Sequence, residues 1–111
     1  MNVVIDIKPG SDPNAINLNN KGVISVAILG GKTFDVTCVK VDSLRFGPAG
    51  ALNALAPSYE DVNGDGYIDL MTHYRTQDTG IAPGDTKACL KGELIDGIKF
   101  TACDSIKVIS K

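Results

Sequence analysis

The sequence lacks features that several classes of protein require. It has no tryptophan and a single histidine, His73, so a histidine-rich metal centre is excluded. No apolar run approaches the roughly 18 to 20 residues that cross a bilayer, and the longest, Val23 to Leu29, has the length of a strand. The 11 basic residues are scattered singly in a chain of net charge −2. We therefore expect no membrane insertion and no nucleic acid partner.

Cysteine is also sparse, and its spacing restricts its chemistry. Cys38, Cys89 and Cys103 are neither clustered nor arranged as Cys-x-x-Cys, which argues against zinc and leaves one disulfide with a spare thiol. The first residues, Met1 to Asp6, have neither the charged nor the apolar region of a secretory signal. We expect either an intracellular protein or a domain excised from a larger secreted one. The length of 111 residues predicts a single domain over 1–111.

Periodicity indicates strands. No segment keeps a 3.6-residue apolar period, whereas short β-branched runs alternate between clusters of Gly, Pro, Asn and Asp. This pattern predicts a mostly β fold, an Ig-like antiparallel β-sandwich of about six to seven strands. At most one short helical turn is expected, near Gly50 to Ala56. The predicted strands are Val3 to Lys8, Gly22 to Leu29, Val36 to Phe46, Tyr67 to Arg75, Thr86 to Leu94 and Ile98 to Ile109.

Oxygen-bearing side chains alternate along the segment from Asp61 to Asp69. Calcium takes six to eight oxygen ligands at about 2.3 to 2.6 Å, which a sharply folded acidic loop provides. Gly66 stands at the sixth position, where the backbone must turn. The segment therefore predicts a Ca²⁺ site. Its expected ligands are the side chains of Asp61, Asn63, Asp65 and Asp69 and the backbone carbonyl of Tyr67.

The match to a helix-loop-helix calcium site is incomplete. Position 12 of such a loop carries a bidentate glutamate, but here it is Thr72, and the alternating residues that follow Asp69 predict a strand. The run Asp61-Val62-Asn63-Gly64-Asp65-Gly66 resembles the opening of a dockerin calcium loop, and an acidic loop that enters a strand resembles those of FG-GAP propellers. The resemblance implies the ligand set. Glu60, Asp12 and Asp85 are weaker candidates for the remaining ligands, and a metal-free Asx-rich turn is the alternative.

Three further stretches resemble a module that recurs in large secreted bacterial and archaeal proteins. They are Val4-Ile5-Asp6-Ile7-Lys8-Pro9-Gly10-Ser11, Gly22-Val23-Ile24-Ser25-Val26-Ala27-Ile28-Leu29 and Thr76-Gln77-Asp78-Thr79-Gly80-Ile81. This resemblance implies an extracellular location and a β-sandwich accessory domain. It implies no activity.

The segment from Cys89 to Cys103 predicts a β-hairpin whose register can be tested against its apolar pattern. A two-residue Asp96-Gly97 turn would place the two sulfurs on opposite faces. A three-residue loop, Ile95-Asp96-Gly97 with Gly97 left-handed, pairs Cys89 with Cys103. It also collects the apolar residues on one face, namely Leu90, Leu94, Ile98, Phe100, Ala102, Ile106 and Val108. We therefore predict a Cys89–Cys103 disulfide, with two free thiols as the alternative and Cys38 as a small core residue.

These features favour a non-catalytic, extracellular, calcium-binding structural or adhesive accessory module. The first alternative is a calcium-dependent carbohydrate-binding module, in which Tyr59 and Tyr67 act with Arg75 or Gln77. A hydrolase-associated domain with weak activity is third, because His73 has no recognisable catalytic partner motif. We predict no catalytic residue. The expected partners are calcium and either a glycan or neighbouring protein domains.

Overall fold

Strands make up most of the regular structure, as predicted. The computed structural model describes residues 3–9, 14–19 and 22–109, and no helix in these ranges is long and apolar enough to span a membrane. The strands are β1 (Val4–Ile7), β2 (Ala15–Asn17), β3 (Val23–Leu29), β4 (Arg45–Phe46), β5 (Ser58–Glu60), β6 (Asp69–Arg75), β7 (Lys87–Glu93), β8 (Lys99–Ser105) and β9 (Lys107–Ile109). Single 3₁₀ turns occur at Val36–Cys38, Val41–Ser43 and Thr76–Asp78.

The core lies between two antiparallel sheets. One has the order β1-β3-β6-β5 and the other β4-β7-β8, while β2 and β9 form a short parallel pair. Phe46 of β4 and Tyr74 of β6 are both fully buried, and their ring centroids lie 5.0 Å apart. Burial raises the pKa of Tyr74 to about 12. The predicted class, a mostly β antiparallel sandwich, is confirmed.

A carboxylate connects β1 to β8, the nearest strand of the other sheet. Asp104 of β8 accepts a hydrogen bond from the backbone amide of Ile7 (3.0 Å) and another from the Asn14 side chain (3.0 Å) through the same oxygen. The backbone amide of Ile7, which lies on an edge strand, thereby gains a hydrogen-bond acceptor. Burial and the nearby Asp104 charge raise the pKa of Asp6, the neighbour of Ile7.

The predicted strand from Val36 to Phe46 is wrong over most of its length. Two 3₁₀ turns occupy Val36–Cys38 and Val41–Ser43, and only Arg45–Phe46 forms a strand. Asp35 begins the first turn by accepting a hydrogen bond from the backbone amide of Thr37 (2.9 Å). Around this first turn the buried residues are Val36 and Val39, three residues apart. This spacing fits 3.0 residues per turn, not the two-residue period of a strand.

The predicted helical turn near Gly50 to Ala56 is also wrong. Ala51 and Asn53 instead make isolated β-bridges, to Phe46 and to Tyr74. The Asn53 side chain accepts a hydrogen bond from the His73 amide (2.9 Å), which holds the segment extended beside β6. The next strand, β5, was not predicted because its residues are polar and all exposed. It pairs with β6 through its backbone and carries no apolar alternation.

Candidate calcium loop and disulfide hairpin

The acidic loop joins two adjacent strands of the four-stranded sheet. It follows β5 and leads into β6, with Glu60 paired opposite Asp69. Asp69 is fully buried, and its two oxygens accept backbone hydrogen bonds from Gly30 (2.8 Å) and Val62 (2.9 Å). One carboxylate therefore connects both ends of the loop to the end of β3.

Glycine is required at position 30 by this arrangement. A side-chain carbon added to Gly30 would collide with the backbone carbonyl of Ile68. The close approach of the two backbones brings the Gly30 amide within hydrogen-bonding distance of the buried Asp69 carboxylate. In the sequence, Gly30 simply follows the predicted strand from Gly22 to Leu29. The contact depends on long-range packing, so no local signal predicts it.

The first residue of the loop, Asp61, is surrounded by backbone donors. Its two carboxylate oxygens accept hydrogen bonds from Gly66 (2.9 Å), Gly64 (2.9 Å) and Asp65 (3.3 Å). These bonds, that from Gly66 above all, lower the pKa of the exposed Asp61 carboxyl. Gly66 has a φ of 88°, as expected for the sharp turn at this position. The loop therefore folds around an ionised Asp61.

The fold brings three of the predicted ligands together. One carboxylate oxygen from each of Asp61, Asp65 and Asp69 lies within 4.8 Å of the others. Asn63 is in the same loop, where its side-chain oxygen contacts the Asp65 amide at 3.4 Å, and the Tyr67 amide donates to Asp65 at 2.9 Å. The arrangement offers a concentrated set of hard oxygen donors, the kind that calcium prefers.

The other acidic candidates make different contacts. Glu60 accepts a hydrogen bond from the Ser58 hydroxyl (3.3 Å), and Asp85 accepts one from the backbone amide of Ala82 (2.9 Å). Within the described ranges neither belongs to the group formed by the three loop carboxylates. Asp12 lies outside the described residues. The ligand set, including these three carboxylates, stays a prediction.

The predicted hairpin register is confirmed. Cys89 faces Cys103, Leu90 faces Ala102 and Gly92 faces Phe100. Gly97 has a φ of 90°, and the Leu94 amide donates to the Ile98 carbonyl across the three-residue loop (2.8 Å).

The predicted cross-strand disulfide, Cys89–Cys103, is present, with Cα atoms 4.0 Å apart. Leu90, Leu94, Phe100, Ala102 and Ile106 are buried on the predicted apolar face. Ile98 is 47% exposed because it adjoins the turn. Cys38 is a half-buried free thiol in a 3₁₀ turn.

The residues considered for catalysis and glycan binding are not brought together. His73 is four residues from Asp69 on the same strand, a separation of about 13 Å. Arg75 follows at the far end of β6, six residues or about 20 Å from Asp69. Tyr59 and Tyr67 are exposed near the loop, so Arg75 does not complete a shared surface with them.

Comparisons with known proteins add little to this geometry. No protein-family model matches the chain, and no curated protein does. Among solved structures, the chain is similar to AggA, the major subunit of aggregative adherence fimbriae type I from Escherichia coli. That match has 14% identity and a TM-score of 0.29 over 99% of this chain and 95% of that chain. At this TM-score the likeness supports no conclusion about fold or function.

Proposed function

We propose that the chain is a non-catalytic structural or adhesive module of an exported protein, stabilised by calcium at the loop from Asp61 to Asp69. The observation that carries the proposal is the convergence of three carboxylates within 4.8 Å, one of them fully buried. Like charges this close repel one another, and burial strengthens the repulsion. A divalent cation would replace that repulsion with attraction.

The hydrogen bonds of the loop favour binding because they fix its shape in advance. Asp61 and Asp69 accept bonds from the backbone, yet an ionised carboxylate has about four acceptor sites and can still coordinate a metal. A preformed loop loses little conformational entropy on binding. The ion would then join β5, β6 and the end of β3 at one point.

A modest affinity is sufficient for a structural role. Calcium sites of extracellular modules have dissociation constants as weak as about 10⁻⁴ to 10⁻³ M. At a free calcium concentration ten times the dissociation constant, binding to the folded state alone adds about 1.4 kcal/mol to the free energy of unfolding. For a domain of this size that gain raises the melting temperature by roughly 5 to 10 °C.

Two observations support export and a non-catalytic role. The Cys89–Cys103 disulfide fits an oxidising compartment, since disulfides are rare in the cytosol. The single histidine is well separated from the acidic loop along β6, and the loop carboxylates are engaged in holding backbone amides. These residues are therefore better suited to binding a cation than to transferring protons.

The test is thermal unfolding with 10 mM calcium and with chelator, comparing the native chain with Asp65→Asn and Asp96→Asn. Both aspartates are exposed, and each accepts a bond from the amide two residues later, at 2.9 Å for Asp65 and 3.1 Å for Asp96. The two substitutions therefore make the same chemical change in similar turns. Only Asp65→Asn should reduce the calcium-dependent rise in melting temperature, because it removes one ligand charge while keeping an oxygen.

Equal responses from all three chains would contradict the assignment of calcium to this loop. A native chain whose melting temperature does not respond to calcium would contradict the stabilising role.

A further inference from the structure

A second site lies on the outer face of the three-stranded sheet. A cleft of about 390 Å³ is bounded by β7, by Arg45 of β4 and by the turn from Gly47 to Gly50. Its charged lining residues are Arg45, Lys87 and Lys91, and the lining contains no acidic residue. The chain as a whole has a net charge of −2, so this cluster is not the result of a generally basic composition.

The three cations are gathered by strand pairing. Lys87 and Lys91 point to the same side of β7, four residues or about 13 Å apart, and Arg45 pairs directly with Lys91 across the β4–β7 ladder. Like charges in directly opposed positions destabilise a sheet. Within the described ranges none of the three forms an ion pair. The directly opposed pair, Arg45 and Lys91, is therefore unfavourable, and an anion bound between the two side chains would remove this repulsion.

Arg45 is held in place by its own chain. One guanidinium nitrogen, Nη1, donates to the backbone carbonyls of Asp42 and Leu44, each at 2.9 Å. The guanidinium keeps its full charge and its remaining N–H donors. Because these two bonds restrict the side chain, less entropy is lost when the group pairs with an anion.

The wall of the cleft is also preformed. The Gly47 amide donates to the carbonyl of Cys89 (3.0 Å), and the Ala49 amide donates to the carbonyl of Thr79 (2.8 Å). The turn thereby places Pro48 and Ala49 beside the basic side chains. The cleft combines an apolar wall with concentrated positive charge, and its volume is within the range of small-ligand sites.

We infer that this cleft binds an acidic sugar unit of a polysaccharide, with the carboxylate or sulfate group paired to Arg45, Lys87 and Lys91. The apolar wall suits the face of a sugar ring, and the cations suit its charged substituent. A concave site of this size holds one ring, whereas a nucleic acid backbone needs an extended basic track that the chain lacks. This site is separate from the proposed calcium loop and does not require calcium.

The experiment is calorimetric titration in chelator with two pairs of probes that differ in charge. Comparing oligogalacturonate with its methyl ester tests whether the cleft binds a carboxylate group. Comparing dextran sulfate with dextran tests whether it binds a sulfate group. The native chain should bind at least one charged probe and neither neutral one. Lys87→Ala with Lys91→Ala should weaken binding at least about fivefold, and added salt should weaken native binding because exposed charge pairs are screened.

The matched control is Lys32→Ala with Lys107→Ala. It removes the same charge from exposed positions that do not line the cleft, so the affinity should change less than twofold. The melting temperature of neither double variant should fall below that of the native chain, which excludes a folding defect, and relief of the Arg45–Lys91 repulsion can only raise it for Lys87→Ala with Lys91→Ala.

Three outcomes of the titrations would overturn the inference. They are no binding of either charged probe, an equal loss in the control variant, or equally tight binding of a single-stranded oligonucleotide of the same charge. Sedimentation gives a further test. If the native chain self-associates and Lys87→Ala with Lys91→Ala abolishes the association, the inference is overturned, because a second copy would then occupy the cleft. Because chelator is present throughout, none of these outcomes depends on the calcium proposal.

Discussion

Two hairpins in this molecule are closed in different ways. The β7–β8 hairpin has a three-residue turn, a buried apolar face and the Cys89–Cys103 disulfide on its exposed face. The β5–β6 hairpin is connected by an exposed loop whose residues bond mainly to Asp61 and Asp69. The β7–β8 hairpin is closed by a covalent bond and needs no bound ion. The other concentrates negative charge that calcium would neutralise.

The difference shows what each strand pair needs. Each strand of the β7–β8 hairpin contributes side chains to the core, whereas all three residues of β5 are exposed. Strand β5 therefore gains little from hydrophobic burial. Its attachment depends on backbone pairing to β6 and on the contacts of the loop, so we expect the stability of this edge to vary with calcium and pH.

The largest effect should come from removing the covalent closure. Cys89→Ser with Cys103→Ser opens a loop whose ends are 14 residues apart, and chain-entropy arguments give a loss of about 3 kcal/mol in the free energy of unfolding. Urea denaturation measures it. The increase in the free energy of unfolding caused by calcium should be unchanged in this variant, because the disulfide and the acidic loop act independently. Loss of that gain would mean that the hairpins are coupled.

The next largest effect should come from the buried carboxylate. Asp69→Ala leaves the amides of Gly30 and Val62 without their acceptor, which costs roughly 1 to 3 kcal/mol even in chelator. Asp69→Asn is the control, because it keeps one oxygen acceptor, and it should lose less. Equal losses from the two variants in urea denaturation would contradict the role given to these hydrogen bonds.

A smaller effect should appear in amide hydrogen exchange. A calcium stabilisation of about 1.4 kcal/mol corresponds to roughly tenfold slower exchange for amides that exchange by opening of the loop. We expect this slowing at Gly64 and Gly66, whose amides bond to Asp61. The turn amide of Gly97, which bonds to the Leu94 carbonyl, should not respond beyond any global change. Uniform slowing would indicate an ion that acts elsewhere.

The smallest effects concern acid and have opposite signs at two carboxyl groups. The pKa of Asp61 is lowered from its usual 3.8, so its contribution to stability is complete above that value and lost as pH falls through the folded-state pKa. In chelator, the native chain should therefore be more stable than Asp61→Asn at pH 7. The difference should shrink below about pH 4 in urea denaturation. A difference independent of pH would contradict the assignment.

Asp6 should behave in the reverse manner because its pKa is raised. A carboxyl whose pKa is raised in the folded state contributes stability only when it is protonated. That contribution is lost as the pH rises through the folded-state pKa. Asp6→Asn should therefore be more stable than the native chain at pH 7 and equal to it near pH 3. A destabilised Asp6→Asn at pH 7 would show that the ionised Asp6 makes a favourable contact.

Much of the framework was predictable because it follows from local periodicity. Strands β1, β7 and β8 alternate between more and less buried residues, and β3 and β6 do so over most of their length. The same alternation fixed the register that joins Cys89 to Cys103. The sequence also located the acidic loop. Strand β5 was missed because an exposed edge strand carries no apolar pattern.

The remaining features depend on contacts between distant residues. The Asp69 contact with Gly30 spans 39 residues. The basic cleft combines Arg45 with lysines more than 40 residues later, although these cations are scattered singly in the sequence. Pairing between strands creates both features, so neither spacing nor composition predicts them.

The central claim, that the loop from Asp61 to Asp69 binds calcium, is tested most directly by calorimetric titration of the calcium-free chain. We predict one ion per chain with a dissociation constant of about 10⁻⁴ to 10⁻³ M, unchanged in Asp96→Asn and raised at least about tenfold in Asp65→Asn, which removes one ligand charge. Absence of binding in the native chain, or equal binding by Asp65→Asn, would contradict it.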